Sequence, residues 1–214
     1  VPEKHKGNEK HTKRSRAVRM SPEQRQQQLL VCALSAFAEK GFGEASHSDL
    51  AERANVSVPT TFHYFPSREC LINAVIGEVT RFLIEDFVEV RILNPAEATS
   101  ISVGEMLMAF ADAIDEKPDY IRIWMQWSSN VQGPAWKEYT EFQRRVLKTL
   151  KILLLRGRRD GSLHPKLDCE IASKVILACA TMVAHMKFDH SSRQDIQRAV
   201  DSIVAGYLEG YRES

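Results

Sequence analysis

Ser46-His47-Ser48-Asp49-Leu50-Ala51-Glu52-Arg53-Ala54-Asn55-Val56-Ser57-Val58-Pro59-Thr60-Thr61-Phe62-His63-Tyr64-Phe65 reads as a short helix, a tight turn and a second short helix. Ser46 followed three residues later by Asp49 has the form of a capping box, which satisfies backbone N–H groups at a helix start. Asn55-Val56-Ser57 interrupts the helical pattern. Ser57 is expected to cap a helix over 58–64, with Pro59 tolerated in its first turn, where the missing N–H is not needed. Phe65-Pro66 closes that helix, because the residue before proline avoids the helical region. Leu50, Ala51, Val56 and Phe62 are the apolar points expected to lock the two helices together, and the small Ala51 suits a close approach.

Outward from this segment the same period continues. Leu30, Ala33, Leu34, Phe37 and Ala38 form one helical stripe. With Ser21-Pro22 as its start signal and Gly41 as its stop, that pattern predicts a helix over about 22–40. Ser67 is expected to cap a long fourth helix ending near Asn94-Pro95. Further helices are expected at about 96–116, 118–131, 134–160, 168–190 and 193–212. No stretch alternates with a period of two for long enough to suggest a sheet. The expected fold is all-α, with about nine helices. A three-helix N-terminal domain at 21–68 precedes a larger helical body at 69–214, and residues 1–20 form a basic flexible arm.

The charge is unevenly spread. The 214 residues carry a net +1, yet residues 1–68 hold 11 Lys and Arg against 7 Asp and Glu, while the rest hold 18 against 21. A basic end on a near-neutral body points to an anionic partner there, or to no more than a solvated tail. A helical hairpin alone is also common in proteins that bind nothing. Where it does read DNA, the second helix lies in the major groove with its first residues at the base edges. The candidates are Ser46, Ser57, Pro59, Thr60, Thr61, His63 and Tyr64, with Arg68 reaching the backbone and Arg14, Arg16 and Arg19 entering the adjacent minor groove.

The four cysteines form no C-x-x-C pair and read as reduced thiols in helices. No phosphate-cradling glycine loop, nucleophile elbow or metal-ligand spacing occurs. The expectation is a cytoplasmic binding protein, not an enzyme, with no cofactor, no metal and no membrane span.

Two runs carry a resemblance. Ala51-Glu52-Arg53-Ala54-Asn55-Val56-Ser57 and Tyr64-Phe65-Pro66-Ser67-Arg68-Glu69-Cys70-Leu71 resemble the DNA-binding end of the TetR family of bacterial regulators. Arg14-x-Arg16, Arg19-x-Ser21-Pro22, Ile123-Trp124-Met125-Gln126-Trp127-Ser128 and the surroundings of Cys179 are similar to its vibrio quorum-sensing master-regulator branch (LuxR/HapR/SmcR). The resemblance implies a homodimeric transcription regulator on a pseudo-palindromic double-stranded DNA operator, modulated by a small apolar ligand. By analogy with that branch, Phe82, Trp124, Met125, Trp127, Gln143, Cys179 and Met182 would hold the ligand. The last two helices would form the dimer interface through Val175, Ile176, Val183, Ile196, Val200, Ile203 and Tyr207. Pro59, His63 and Gln143 depart from the branch, which implies a different operator preference and a different ligand. The alternative from a different class is a small-molecule-binding helical module with a degenerate helix-turn-helix. A further one is a protein whose helical body docks partner proteins.

Overall fold

The structure, a computed structural model, describes residues 20–90, 99–131, 133 and 135–209. The basic arm with Arg14, Arg16 and Arg19 lies outside these residues. Among them the chain forms nine α-helices and no strand. They are α1 (Pro22–Glu44), α2 (His47–Ala54), α3 (Val58–Tyr64), α4 (Arg68–Arg81), α5 (Thr99–Glu116), α6 (Pro118–Ser129), α7 (Trp136–Asp160), α8 (Cys169–Phe188) and α9 (Arg193–Ile203). Both α4 and α9 run on into π-helical segments, Phe82–Glu89 and Val204–Glu209.

Local chemistry sets most boundaries. Ser21 and Gln24 close a capping box on α1, with Ser21 Oγ accepting from Gln24 N at 3.2 Å and Gln24 Oε1 accepting from Ser21 N at 2.9 Å. Ser67 Oγ accepts from Cys70 N at 3.1 Å. Asp168 and Ser192 cap α8 and α9 in the same way. Helix α1 runs past the expected end, but it breaks where the sequence placed the stop. Gly41 takes φ 77° and ψ 175°, a conformation that side chains resist. Gly161, at φ 79°, ends α7.

Two local expectations are corrected. Ser57 does not cap α3 through its side chain; its hydroxyl pairs with Thr60 Oγ1 at 2.8 Å instead. The end of α4 is π-helical between Phe82 and Glu89, a geometry that apolar spacing does not distinguish from α.

The N-terminal helices and the body are joined at α1, which packs on α2, α4 and α6. Gln126 of α6 donates from Nε2 to Ala38 O at 3.0 Å, just ahead of the Gly41 break. Tyr120 of α6 donates to Glu78 Oε1 of α4 at 3.1 Å. Burial, reinforced by that carboxylate, pushes the Tyr120 phenol up to about 12. Helix α5 is the centre of the body, touching α6, α7, α8 and α9. Its neighbour α8 is the one helix among the described residues long and apolar enough to meet the composition of a membrane span. It packs against α5, α7 and α9, burying Ala172, Ile176 and Val183.

Candidate functional site

The helix-turn-helix is built around a left-handed residue. Asn55 ends α2 at φ 51° and ψ 51°, a conformation that asparagine tolerates better than most residues. Its N–H reaches Glu52 O at 3.1 Å, and Val56 N reaches Ala51 O at 3.0 Å. The expected capping box at Ser46 and Asp49 is present: Ser46 N and Oγ donate to Asp49 Oδ2 at 2.8 and 2.6 Å. The hydrogen bond from Lys40 and those from Ser46 hold the Asp49 carboxyl at about 2, below its ordinary 3.8. Lys40 and the Arg53–Glu39 pair fasten α2 to α1.

His47, which sequence reasoning passed over, ties the two motif helices together. It is buried, and its Nε2 lies 2.7 Å from Phe65 O; because a carbonyl only accepts, Nε2 carries the proton. Its ring stacks on Phe62, with centroids 3.9 Å apart and planes 5° from parallel. Phe62 itself is exposed and does not lock the helices from within as its apolar character suggested. Leu50, Ala54 and Phe65 belong to the buried core there, and Ala51 is buried as well.

The outward surface of α3 presents Ser57, Pro59, Phe62 and His63, with Thr60 and Tyr64 half-buried beside them. Three expected contact residues are engaged elsewhere. Thr61 is fully buried, donating to Val58 O at 2.8 Å, and cannot touch a base edge. Arg68 is exposed, but its guanidinium donates to Phe42 O at 2.6 Å, Gly43 O at 2.8 Å and Ala45 O. It satisfies the carbonyls orphaned where α1 breaks. Ser46 spends its hydroxyl in the capping box.

The body holds an apolar cavity of ≈ 50 Å³. The π segment contributes Leu83, Phe87 and Val88, while α5 adds Met106, Leu107 and Phe110. Trp124, Phe142, Val146, Leu150, Ile176, Leu177 and Ala180 complete the wall. Of the expected ligand residues only Trp124 is among them. Trp127 turns toward α7 and donates to Ala135 O at 2.7 Å. Phe82 stacks edge-on against Tyr120, with Lys117 Nζ 4.5 Å from its centroid. Gln143 is half-buried beside the Tyr139 hydroxyl. Met125 and Cys179 sit one residue, and Met182 two, from the nearest wall positions and do not line it. A second, open groove of ≈ 520 Å³ runs between α4 and α7.

Four expected dimer residues, Ile176, Val183, Ile196 and Val200, are buried in the chain's own core and cannot meet a partner. Val175, Ile203 and Tyr207 are half-buried. Helix α8 carries a separate outer stripe of Ile171, Val175, Ala178, Met182 and His185, which no helix among the described residues fully covers.

Residues 29–75, from α1 through the motif into α4, match the model of the bacterial regulatory proteins of the tetR family. That stretch is a helix-turn-helix region of the TetR type. It is similar to the HTH-type transcriptional regulator LuxR of Vibrio harveyi, at 26% identity over 89% of this chain and 90% of that protein. A cysteine-substituted form of the TetR-family regulator CifR, solved with a 26 bp double-strand operator DNA, superposes with a TM-score of 0.72. Identity there is 17%, covering 85% of this chain and 95% of that one. The transcriptional regulator FadR from Bacillus subtilis, in complex with stearoyl-CoA, gives 0.69 at 17% identity, covering 87% and 99%. The chain is accordingly a transcriptional regulator with a DNA-binding helix-turn-helix of the TetR type, and regulators of that type bind operator DNA and act as dimers.

Proposed function

We propose that two copies of this chain read a pseudo-palindromic operator, each inserting α3 into the major groove. The observation that carries the reading is the exposed row of Ser57, Pro59 and His63 on α3, flanked by Thr60 and Tyr64. The capped α2 and the His47 hydrogen bond hold that row rigid. Arg14, Arg16 and Arg19 would follow the adjacent minor groove. Residues 21–68 act as the DNA-binding unit and 69–214 as the body that dimerises and senses. The outer stripe of α8, with Ile203 and Tyr207 beside it, faces the second copy. A small apolar ligand in the body cavity modulates operator affinity, and the likeness to LuxR supports a density-responsive role in the cytoplasm.

Selection from a random-sequence DNA library at near-physiological salt tests the reading. Enrichment of an inverted repeat with half-sites ~10 bp apart or somewhat more is the expected result. Bulk binding that is salt-sensitive and enriches no motif overturns it and leaves the helix-turn-helix as scaffold.

A further inference from the structure

Phe142 has two sides. It is 4% exposed, and it lines both the apolar cavity of ≈ 50 Å³ and the open groove of ≈ 520 Å³ between α4 and α7. One aromatic ring therefore parts a dry chamber from a wet one. The chamber is far smaller than ordinary ligand pockets, which run to roughly 300–1,000 Å³. Any molecule larger than a few heavy atoms that enters must turn Phe142 aside, and one with a long chain then extends into the groove.

The two sides differ in chemistry. The cavity wall consists of apolar side chains and one polar group, the Trp124 indole; its Nε1 is buried and has no hydrogen-bond partner among the described residues. The groove carries Lys137, Arg144 and Arg145 against Glu138 and Glu141. Glu141 is engaged by Arg144. Arg145, one helical turn from Phe142, has Glu89 as its ionic neighbour, 3.8 Å away and beyond direct hydrogen-bonding distance. That guanidinium is open to a closer, two-pronged acceptor. Opposite lies Gly77, where an added Cβ would meet nothing within 4 Å.

We propose that cavity and groove are two halves of one site for a single-chain amphipathic molecule with an anionic head. The chain displaces Phe142 and fills the cavity, and the head rests on Arg145 and Lys137. This rests on the ligand-modulated reading above and replaces its wholly apolar ligand with one carrying a charge at one end.

The test titrates decanoate, decanol, decyltrimethylammonium and toluene into the full-length chain below their micellar concentrations, following tryptophan fluorescence and thermal shift. Decanoate is expected to bind at least tenfold more tightly than decanol, and Arg145→Gln should erase that difference. Gly77→Leu fills the groove at a position with open space and favours helix, so its Tm should not fall. It should weaken both ten-carbon chains with neutral or anionic heads at least tenfold and leave toluene unaffected. Equal binding of decanoate and decanol, or preference for the cation, overturns the anionic head. Binding of toluene alone overturns the joined site while the cavity stands as a ligand pocket. If none of the four binds, the ligand-modulated reading falls together with this inference, whereas operator selection would be untouched.

Discussion

Neighbouring threonines in α3 have opposite tasks. Thr60 is half-buried at the outer face, while the Thr61 hydroxyl is spent on Val58 O at 2.8 Å inside. Thr60→Ala or His63→Ala is expected to cost about 1–3 kcal/mol in operator affinity with little change in melting temperature. Thr61→Val should do the reverse, losing about 1 kcal/mol of stability and keeping the operator preference. Fluorescence anisotropy on the selected operator, alongside thermal melts, separates the two. Asp49 supplies a pH test. Its carboxyl sits at about 2 in the folded chain against an ordinary 3.8, because Lys40 and Ser46 hydrogen-bond its charged form. The stabilisation is complete above the ordinary value, shrinks as pH falls below it, and is gone once pH passes about 2. Asp49→Asn removes this contribution, so the stability gap between parent and variant should narrow between pH 5 and pH 2 in urea titrations. Equal gaps at both ends would disprove the assignment.

At the scale of elements, what the sequence made legible was whatever is settled within three or four residues. The caps at Ser21, Ser46 and Ser67 are contacts between i and i+3, and they stand where the pattern put them. The break in α1 was legible because Gly41 adopts a backbone that side chains resist. Gly41→Ala is expected to lose about 1–3 kcal/mol in chemical denaturation and to loosen the Gln126 contact that follows from the kink. The cavity wall was not legible. Trp124 and Trp127 look alike in sequence, and only the placement of α5 and α7 decides that one faces the cavity and the other Ala135. The partners of Arg68 were not legible for a related reason. An exposed arginine after a recognition helix suits phosphate, but its acceptors come from a segment some twenty-five residues earlier. The same limit applies to α8 and α9, whose apolar stripes include both the faces turned inward and those left outward.

Over the whole molecule, the outer stripe of α8 carries the dimer proposal, and Ala178 lies at its centre, small and exposed. Ala178→Glu is expected to leave the monomer folded and to shift sedimentation velocity to the single-chain species. Operator affinity should fall by roughly 10²-fold or more as the two half-sites cease to be held together. An unchanged dimer would place the interface elsewhere. The π segment at Phe82–Glu89 links the two ends of the molecule, since it continues α4 from the DNA-facing end and supplies Leu83, Phe87 and Val88 to the cavity wall. An i→i+5 turn holds about one residue more than an α turn, so this stretch carries slack along the chain. Loss of a single codon there is absorbed by relaxing to α, while the same loss within Arg68–Arg81 rotates the buried row of Leu71, Val75 and Val79 by about 100° out of the core. A scan of one-codon deletions through α4 should therefore find its tolerant window beside the cavity, and the survivors should be regulators that fold, hold operator and no longer answer to an inducer.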